Sequence, residues 1–267
     1  MAQDQSQDAE MTHYENEVLG DDFYASEFER HYSVSAPDFL RRFGGQIDVK
    51  GKRVFDFGSG SGGLIHRLMQ EGASCAVGVD LDLGASQYAK KRLAQEWGDK
   101  VEIFCEDIRT VEFEPADVIV SQNTMEHVSP LNEVLTAVVA KAAPGAELYF
   151  GYAPLWYSPY GHHHCPPTKL PWLHLIKGDQ IVLDHMREHM GRSYPTVKAA
   201  GFNCKTPIDF RDAFAKQPLD LISLRRNPGS GGWRSAINRL GLIPTVIPAL
   251  EKYFTTGMYW RLRKHEA

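Results

Sequence analysis

Apolar residues recur along this chain at two spacings, and the two alternate. From Lys50 onward, short apolar runs of strand length, RVFDF (53–57), CAVGVD (75–80), VEIFC (101–105), DVIVS (117–121) and ELYFG (147–151), are separated by stretches whose apolar residues fall at helical spacing. GLIHRLMQEG, the segment around SQYAKKRLAQEW and PLNEVLTAVVAKAAPG read as the intervening helices, the last closed by a Pro-Gly stop. Strands alternating with helices imply a parallel sheet with helices packed on both faces.

After Gly151 the alternation breaks. Residues 153–192 are rich in Pro, His, Trp and Tyr, too irregular to repeat the earlier unit and too aromatic for a linker. SYPTVKAAGF then reads as a helix leading into FNCKTPIDF, a strand candidate, and 211–256 as a second insertion that contains the flexible NPGSGG. GMYWRLRK closes the chain as an alternating strand. Before the sheet, residues 1–10 are polar and acidic and predict a disordered tail, while Tyr14, Phe23, Tyr24, Phe28 and Tyr32 mark 11–49 as a helical cap. One α/β domain over 50–267, with insertions at about 153–192 and 211–256, follows; no repeat at a solenoid period is present.

Composition narrows the classes. With 43% apolar and 24% charged residues the chain has the balance of an ordinary globular protein. A net charge of −5 supplies no drive toward nucleic acid, so none is expected as a partner. Residues 1–50 hold eleven acids against Arg30, Arg41, Arg42 and Lys50, and 223–267 hold eight bases against Glu251 and Glu266; both read as solvated surface. Cys75, Cys105, Cys165 and Cys204 form no CxxC pair, which fits reduced thiols in the cytoplasm. The first residues lack a signal pattern, and Leu240–Trp260 is interrupted by Pro244, Pro248, Glu251 and Lys252, so no membrane span is expected.

The main chemical signal is Val54-Phe55-Asp56-Phe57-Gly58-Ser59-Gly60-Ser61-Gly62-Gly63, placed where a strand turns into a helix. Glycines there permit a tight turn and close approach of backbone to a ligand, and the helix N-terminus offers free N–H groups. Gly58, Gly60 and Gly63 also spell GxGxxG, and Asp80 ends the next strand where an acid would bind a ribose, so a nucleoside ligand follows but not its identity.

Three further features separate the readings. Asp56 precedes the glycines, giving a DxGxGxG that resembles the first motif of class I S-adenosylmethionine-dependent methyltransferases, where that acid orients the methionine end of the cofactor. Asp107-Ile108 follows the third strand, where the family places an acid on the adenine amino group. Ser121-Gln122-Asn123-Thr124-Met125-Glu126-His127-Val128 ends the fourth strand, and its Glu-His-Val is similar to the segment beneath the methionine moiety in small-molecule methyltransferases. The resemblance covers about 50–152, and more loosely AAGF and the terminal MYWRLRK. It implies a Rossmann-like, seven-stranded, mostly parallel sheet with an antiparallel last strand and lid insertions. It also implies S-adenosylmethionine as cofactor, held by Asp56, Gly58, Ser59, Gly60, Gly62, Asp80, Leu81, Asp107, Ile108, Gln122 and Asn123.

Methyl transfer needs mainly alignment, and a hydroxyl acceptor gains from a general base near neutral pKa. His127 is the first candidate, at the carboxyl edge of the sheet; the bland alternative is a histidine holding loop backbone. His162, His163 and His164 are the second, in a segment that could close over an acceptor. His185 and His189, spaced i,i+4, could share a metal with that stretch, but a hydrogen-bonded aromatic lid is the simpler reading and no metal is expected. No Asn-Pro-Pro-Tyr segment follows the fourth strand, which argues against nucleobase acceptors. Protein and small-molecule acceptors remain; the insertions at 153–192 and 211–256 look like a lid closing on something small, so the expected reaction is oxygen methylation of a small molecule. The rivals are a nicotinamide-dependent oxidoreductase, with Tyr194 and Lys198 its only Tyr-x-x-x-Lys pair, and a non-catalytic binding protein on the same fold.

Overall fold

The computed structural model describes residues 19–45, 47–227 and 243–266. The expected tail 1–10, residues 11–18 of the expected cap, and all of NPGSGG but its Asn227 lie outside the described residues.

Seven strands form one sheet: β1 (Arg53–Phe57), β2 (Cys75–Val79), β3 (Val101–Phe104), β4 (Ala116–Gln122), β5 (Ala142–Tyr152), β6 (Leu219–Arg226) and β7 (Met258–Lys264), in the order β3-β2-β1-β4-β5-β7-β6. β1 to β5 pair in parallel, and β7 runs antiparallel to both neighbours. Burial on both faces explains the continuous apolar strands. Along β1, Val54 enters one core with Phe28, Phe39, Ile65, Leu68 and Leu93, while Phe55 enters the other with Ile119, Leu135, Phe150 and Phe214. On β4, Val118 and Val120 join the first core and Ile119 the second. Each such side chain stabilises by roughly 1.5–3 kcal/mol.

The first core is covered by α1 (Asp21–Arg30), α2 (Ala36–Arg42), α3 (Gly63–Gln70) and α4 (Leu83–Trp97). A π-helical turn, His31–Ser35, joins α1 to α2 and lies against the start of α3, where a Cβ on Gly63 would come within 2.7 Å of His31 and Tyr32. The second core is covered by α5 (Leu131–Ala140) and, further along the chain, by a helix at 207–215.

Three segments differ from the sequence expectation. The Pro-Gly pair does not stop a helix: α5 ends at Ala140, and Pro144-Gly145 fall inside β5, between the partners of Ala116 and Val118 where the register shifts. The bulge absorbs a residue without an N–H and a Gly145 at φ +74°. SYPTVKAAGF forms turns rather than a helix, broken by Pro195 and by Gly201 at φ +94°. FNCKTPIDF is not a strand. Thr206 and Asp209 instead close a reciprocal capping box, the Thr206 hydroxyl accepting the Asp209 N–H and the Asp209 carboxylate the Thr206 N–H, and Pro207 opens the helix. The sixth strand is LDLISLRR, within the stretch read as the second insertion.

The aromatic segment contributes α6 (Leu173–Lys177) and α7 (Gln180–Met190), packed around Trp156, Val182, Met186 and Phe202. The helix at 207–215 is α8, and α9 (Pro248–Phe254) precedes the last strand. Glu251 on α9 is gripped by Arg211 of α8 and Arg226 of β6, at 2.6 and 2.9 Å, so α8, α9 and the sheet edge meet at one carboxylate. No helix among the described residues is long and apolar enough to cross a membrane.

Candidate active site

A cavity of about 520 Å³ opens at the carboxyl ends of β1, β2 and β4, and α1 with the π-helical turn that follows it forms its roof. Its floor is the glycine loop. Gly58, Gly60 and Gly62 sit at φ +80°, +50° and +87°, backbone that L side chains rarely adopt, but they do different things. A Cβ on Gly58 would overlap Thr124, and one on Gly62 would lie 2.8 Å from Leu93 Cδ1, whereas one on Gly60 would meet only His31, at 3.6 Å. Gly60 is therefore the member of the three that needs space on the cavity side. Gly62 packs against α4 and does not line the cavity.

Asp56, Gly58, Ser59, Gly60, Asp80, Leu81, Asp107, Ile108, Gln122, Asn123 and His127 all line it, so ten of the eleven sequence-expected cofactor residues share one space. Asp80 accepts the Gly60 N–H at 2.7 Å and the Asp82 N–H at 2.9 Å. Asp82 in turn caps α4 by accepting the Ala85 N–H. Burial raises the Asp80 pKa, against the pull of those N–H groups. Asp56 is buried with its Oδ1 unpartnered; burial first, and the nearby Asp80 second, push its pKa up to about 8. Asp107 is held by the Arg109 guanidinium, with contacts of 3.0 and 2.6 Å, and that hydrogen bonding keeps it below the ordinary carboxylate range. Gln122 donates to the Ser35 carbonyl at 2.8 Å, which ties the roof to the end of β4.

The roof was the part of the site that sequence reading missed. Phe23, Tyr24, Glu27, Arg30, His31 and Ser35 all line the cavity. Arg30 donates to Glu27 and, at 2.8 Å, to His31 Nε2. The aromatic spacing of 23, 24, 28 and 32 signalled a cap, but nothing in it says which face looks onto the glycine loop.

His127 presents a defined tautomer. Its Nδ1 lies 2.8 Å from the Gly201 carbonyl, which can only accept, so Nδ1 carries the proton and Nε2 keeps its lone pair. Burial lowers its pKa, with the Gly201 bond opposing. The neighbouring Glu126 turns away, accepting the Ala153 N–H at 3.2 Å, and burial pushes its carboxyl up to about 8.

None of His162, His163 and His164 lines the cavity, because the aromatic segment folds onto its own core. His163 donates through Nε2 to the Pro154 carbonyl at 2.9 Å and packs edge-on against His127. His162 is fully buried against His174, and His164 is exposed. His185 and His189 stack at 4.4 Å, and no group of three or more His, Cys, Asp or Glu among the described residues is placed to hold a metal. Tyr194 belongs to the aromatic segment's core, and neither it nor Lys198 lines the cavity.

A family model for a methyltransferase domain matches residues 54–145, the span that builds this floor and rim. The chain's strand order, with an antiparallel β7, is that of the Rossmann-like methyltransferase fold. Among curated proteins, the chain is 32% identical over 107 residues to a ubiquinone biosynthesis O-methyltransferase of Coxiella burnetii, covering 39% of this chain and 45% of that protein. Its counterpart in Neisseria meningitidis serogroup C is 27% identical over 129 residues, covering 47% and 54%. The chain thus spans about half the length of the curated relatives it matches. An S-adenosylmethionine-dependent methyltransferase from Mesorhizobium loti shares the fold with a TM-score of 0.52 at 14% identity, over 87% of this chain and 100% of that one. Magnesium protoporphyrin IX methyltransferase from Synechocystis, solved with bound S-adenosylhomocysteine, does so with 0.51 at 14%, over 92% and 88%.

The cavity fits S-adenosylmethionine on this chain's own features. Asp56 keeps a buried, unpartnered oxygen that the cofactor's ammonium group would meet, and Gly60 leaves backbone approachable. Asp80 and Asp107 stand at separate points of the rim.

Proposed function

We propose that the protein transfers a methyl group to a hydroxyl oxygen of a small-molecule acceptor in the cytoplasm. S-adenosylmethionine, when bound, supplies an already activated methyl. Asp56 and the Gly58–Gly60 backbone would hold its methionine end, Asp80 and Leu81 the ribose, and Asp107 and Ile108 the adenine, with Gln122 and Asn123 beneath. His127 Nε2 would take the acceptor's hydroxyl proton. The observation that carries the reading is the convergence of these residues and a lone-pair imidazole in one roofed cavity. Oxygen as the acceptor atom draws support from relatives named as O-methyltransferases, and the cytoplasm from four free cysteines.

Calorimetry against S-adenosylmethionine, S-adenosylhomocysteine and NAD tests the cofactor, and binding of NAD alone would restore the oxidoreductase. Metabolite extracts incubated with methyl-labelled cofactor then test the acceptor. Label entering as a methyl ether supports the proposal; label only on nitrogen or carbon, or none leaving the cofactor in any extract, refutes it.

A further inference from the structure

The three histidines at 162–164 stand outside the cavity, yet His163 touches His127, which lines it. The rings of His127 and His163 are 5.0 Å apart between centroids and inclined at 68°. Both pack on Phe202, at 6.2 and 5.2 Å, and Phe202 packs on Trp156 at 4.7 Å, at the centre of the aromatic segment. His163 is anchored from its far side by the Nε2–H bond to Pro154. Its backbone is also unusual: His163 and His164 are consecutive left-handed residues, at φ +51° and +62°. Strained backbone of this kind persists where surrounding structure over-determines it, and clusters where a side chain must be aimed.

We propose that His163 is a positioning residue for His127: its ring, anchored on Pro154, covers one side of the His127 imidazole from water and holds it on the Gly201 carbonyl with Nε2 free. The inference rests on the reading of His127 as the base. It gives the His-rich segment a task in the reaction without contact with the acceptor, since a base must be both neutral and correctly turned when the hydroxyl arrives.

The charges around the pair are few. His127, His162 and His164 act on His163, whose pKa is driven down to about 4, by burial first. Across the pair, Glu126 turns its carboxyl to Ala153, and the influences on His127 are burial and the Gly201 carbonyl. Above about pH 4 His163 is neutral, and it acts on His127 by excluding water.

The test reads His127 directly, so it does not depend on the acceptor. In the full chain labelled with 15N-histidine, imidazole nitrogen spectra report the tautomer and the protonation midpoint of each ring, and His127 is assigned by its loss in H127Q. H163F keeps the ring without the anchor, and H163Q keeps an N–H for Pro154 without the ring. Wild type should show the Nδ1–H tautomer with a midpoint below that of an ordinary histidine. H163F should leave that midpoint within about 0.2 pH units, while H163Q should raise it by at least about half a unit, roughly threefold in proton affinity. An unmoved midpoint in H163Q, or an equal rise in both variants, overturns the proposal. Failure of the base reading has a separate signature, an H127Q enzyme that turns over normally whatever the midpoints show.

Discussion

The Asp80 carboxylate accepts the Gly60 amide hydrogen at 2.7 Å, joining the end of β2 to the middle of the glycine loop. Its second oxygen takes the Asp82 N–H, and Asp82 then caps α4, so one side chain orders both the loop and the helix that follows. Asp80→Ala removes the proposed ribose acceptor together with the tether on the loop. Each hydrogen bond to a charged group contributes about 1.5–3 kcal/mol, so S-adenosylmethionine affinity should fall roughly ten- to hundredfold for each one lost. Titration calorimetry reads this, and wild-type affinity in the variant would move the ribose elsewhere.

The three loop glycines should separate by phenotype. Left-handed backbone costs an L residue about 1–2 kcal/mol at each. Gly58→Ala and Gly62→Ala add an overlap, with Thr124 and with Leu93, and should lower the thermal midpoint well beyond the 2–4 °C expected per kcal/mol for a chain of about this size. Gly60→Ala meets only His31 at 3.6 Å and should fold, while Gly60→Phe should fold yet lose the cofactor. If Gly60→Phe binds like wild type, the loop is not the floor of the cofactor site.

These contrasts mark what was legible in the sequence. The loop, the strand-end acids and β1 to β5 were readable because each depends on local rules: short apolar runs buried on both faces, left-handed turns, acids just beyond strand ends. What failed was local signal overridden or mistaken. Thr206-Pro207-Ile208-Asp209 carries a capping-box start, but the apolar residues on either side read as a strand. LDLISLRR was hidden because an edge strand with Leu221 and Ile222 exposed shows no clean alternation. The roof depends on a meeting of residues far apart in sequence, Ser35 with Gln122 and His31 with Gly60, that no window of the chain contains.

Asp56 and Glu126 should make stability fall as pH rises. Both are acids whose folded pKa, about 8, lies above the ordinary values of 3.8 and 4.5. From about pH 4 to about pH 8 the folded chain therefore holds protons that the unfolded chain has released. Their contribution is complete below the unfolded values and is lost as pH climbs through about 8. Thermal midpoints of the cofactor-free protein should decline from pH 5 to 8.5, and less steeply in Asp56→Asn, which stays neutral throughout. Since the cofactor's ammonium group favours ionised Asp56, its affinity should rise over the same interval. A variant slope equal to wild type would mean Asp56 is already ionised in the folded chain.

His127→Gln tests the chemistry apart from binding. Gln can still donate to the Gly201 carbonyl, so the loop contact at 2.8 Å has a replacement and cofactor affinity should be unchanged. It has no basic lone pair, and loss of a general base costs roughly 10²–10⁴-fold in rate. Because burial lowers the His127 pKa, wild-type kcat/KM should stay level as pH falls below the ordinary histidine range. It should drop only where the ring at last takes up a proton. That acidic limb should vanish in the variant, leaving a low, flat profile. A variant that retains both the rate and the limb would assign the limb to another group, and His127 would then serve only to hold the turn at Gly201.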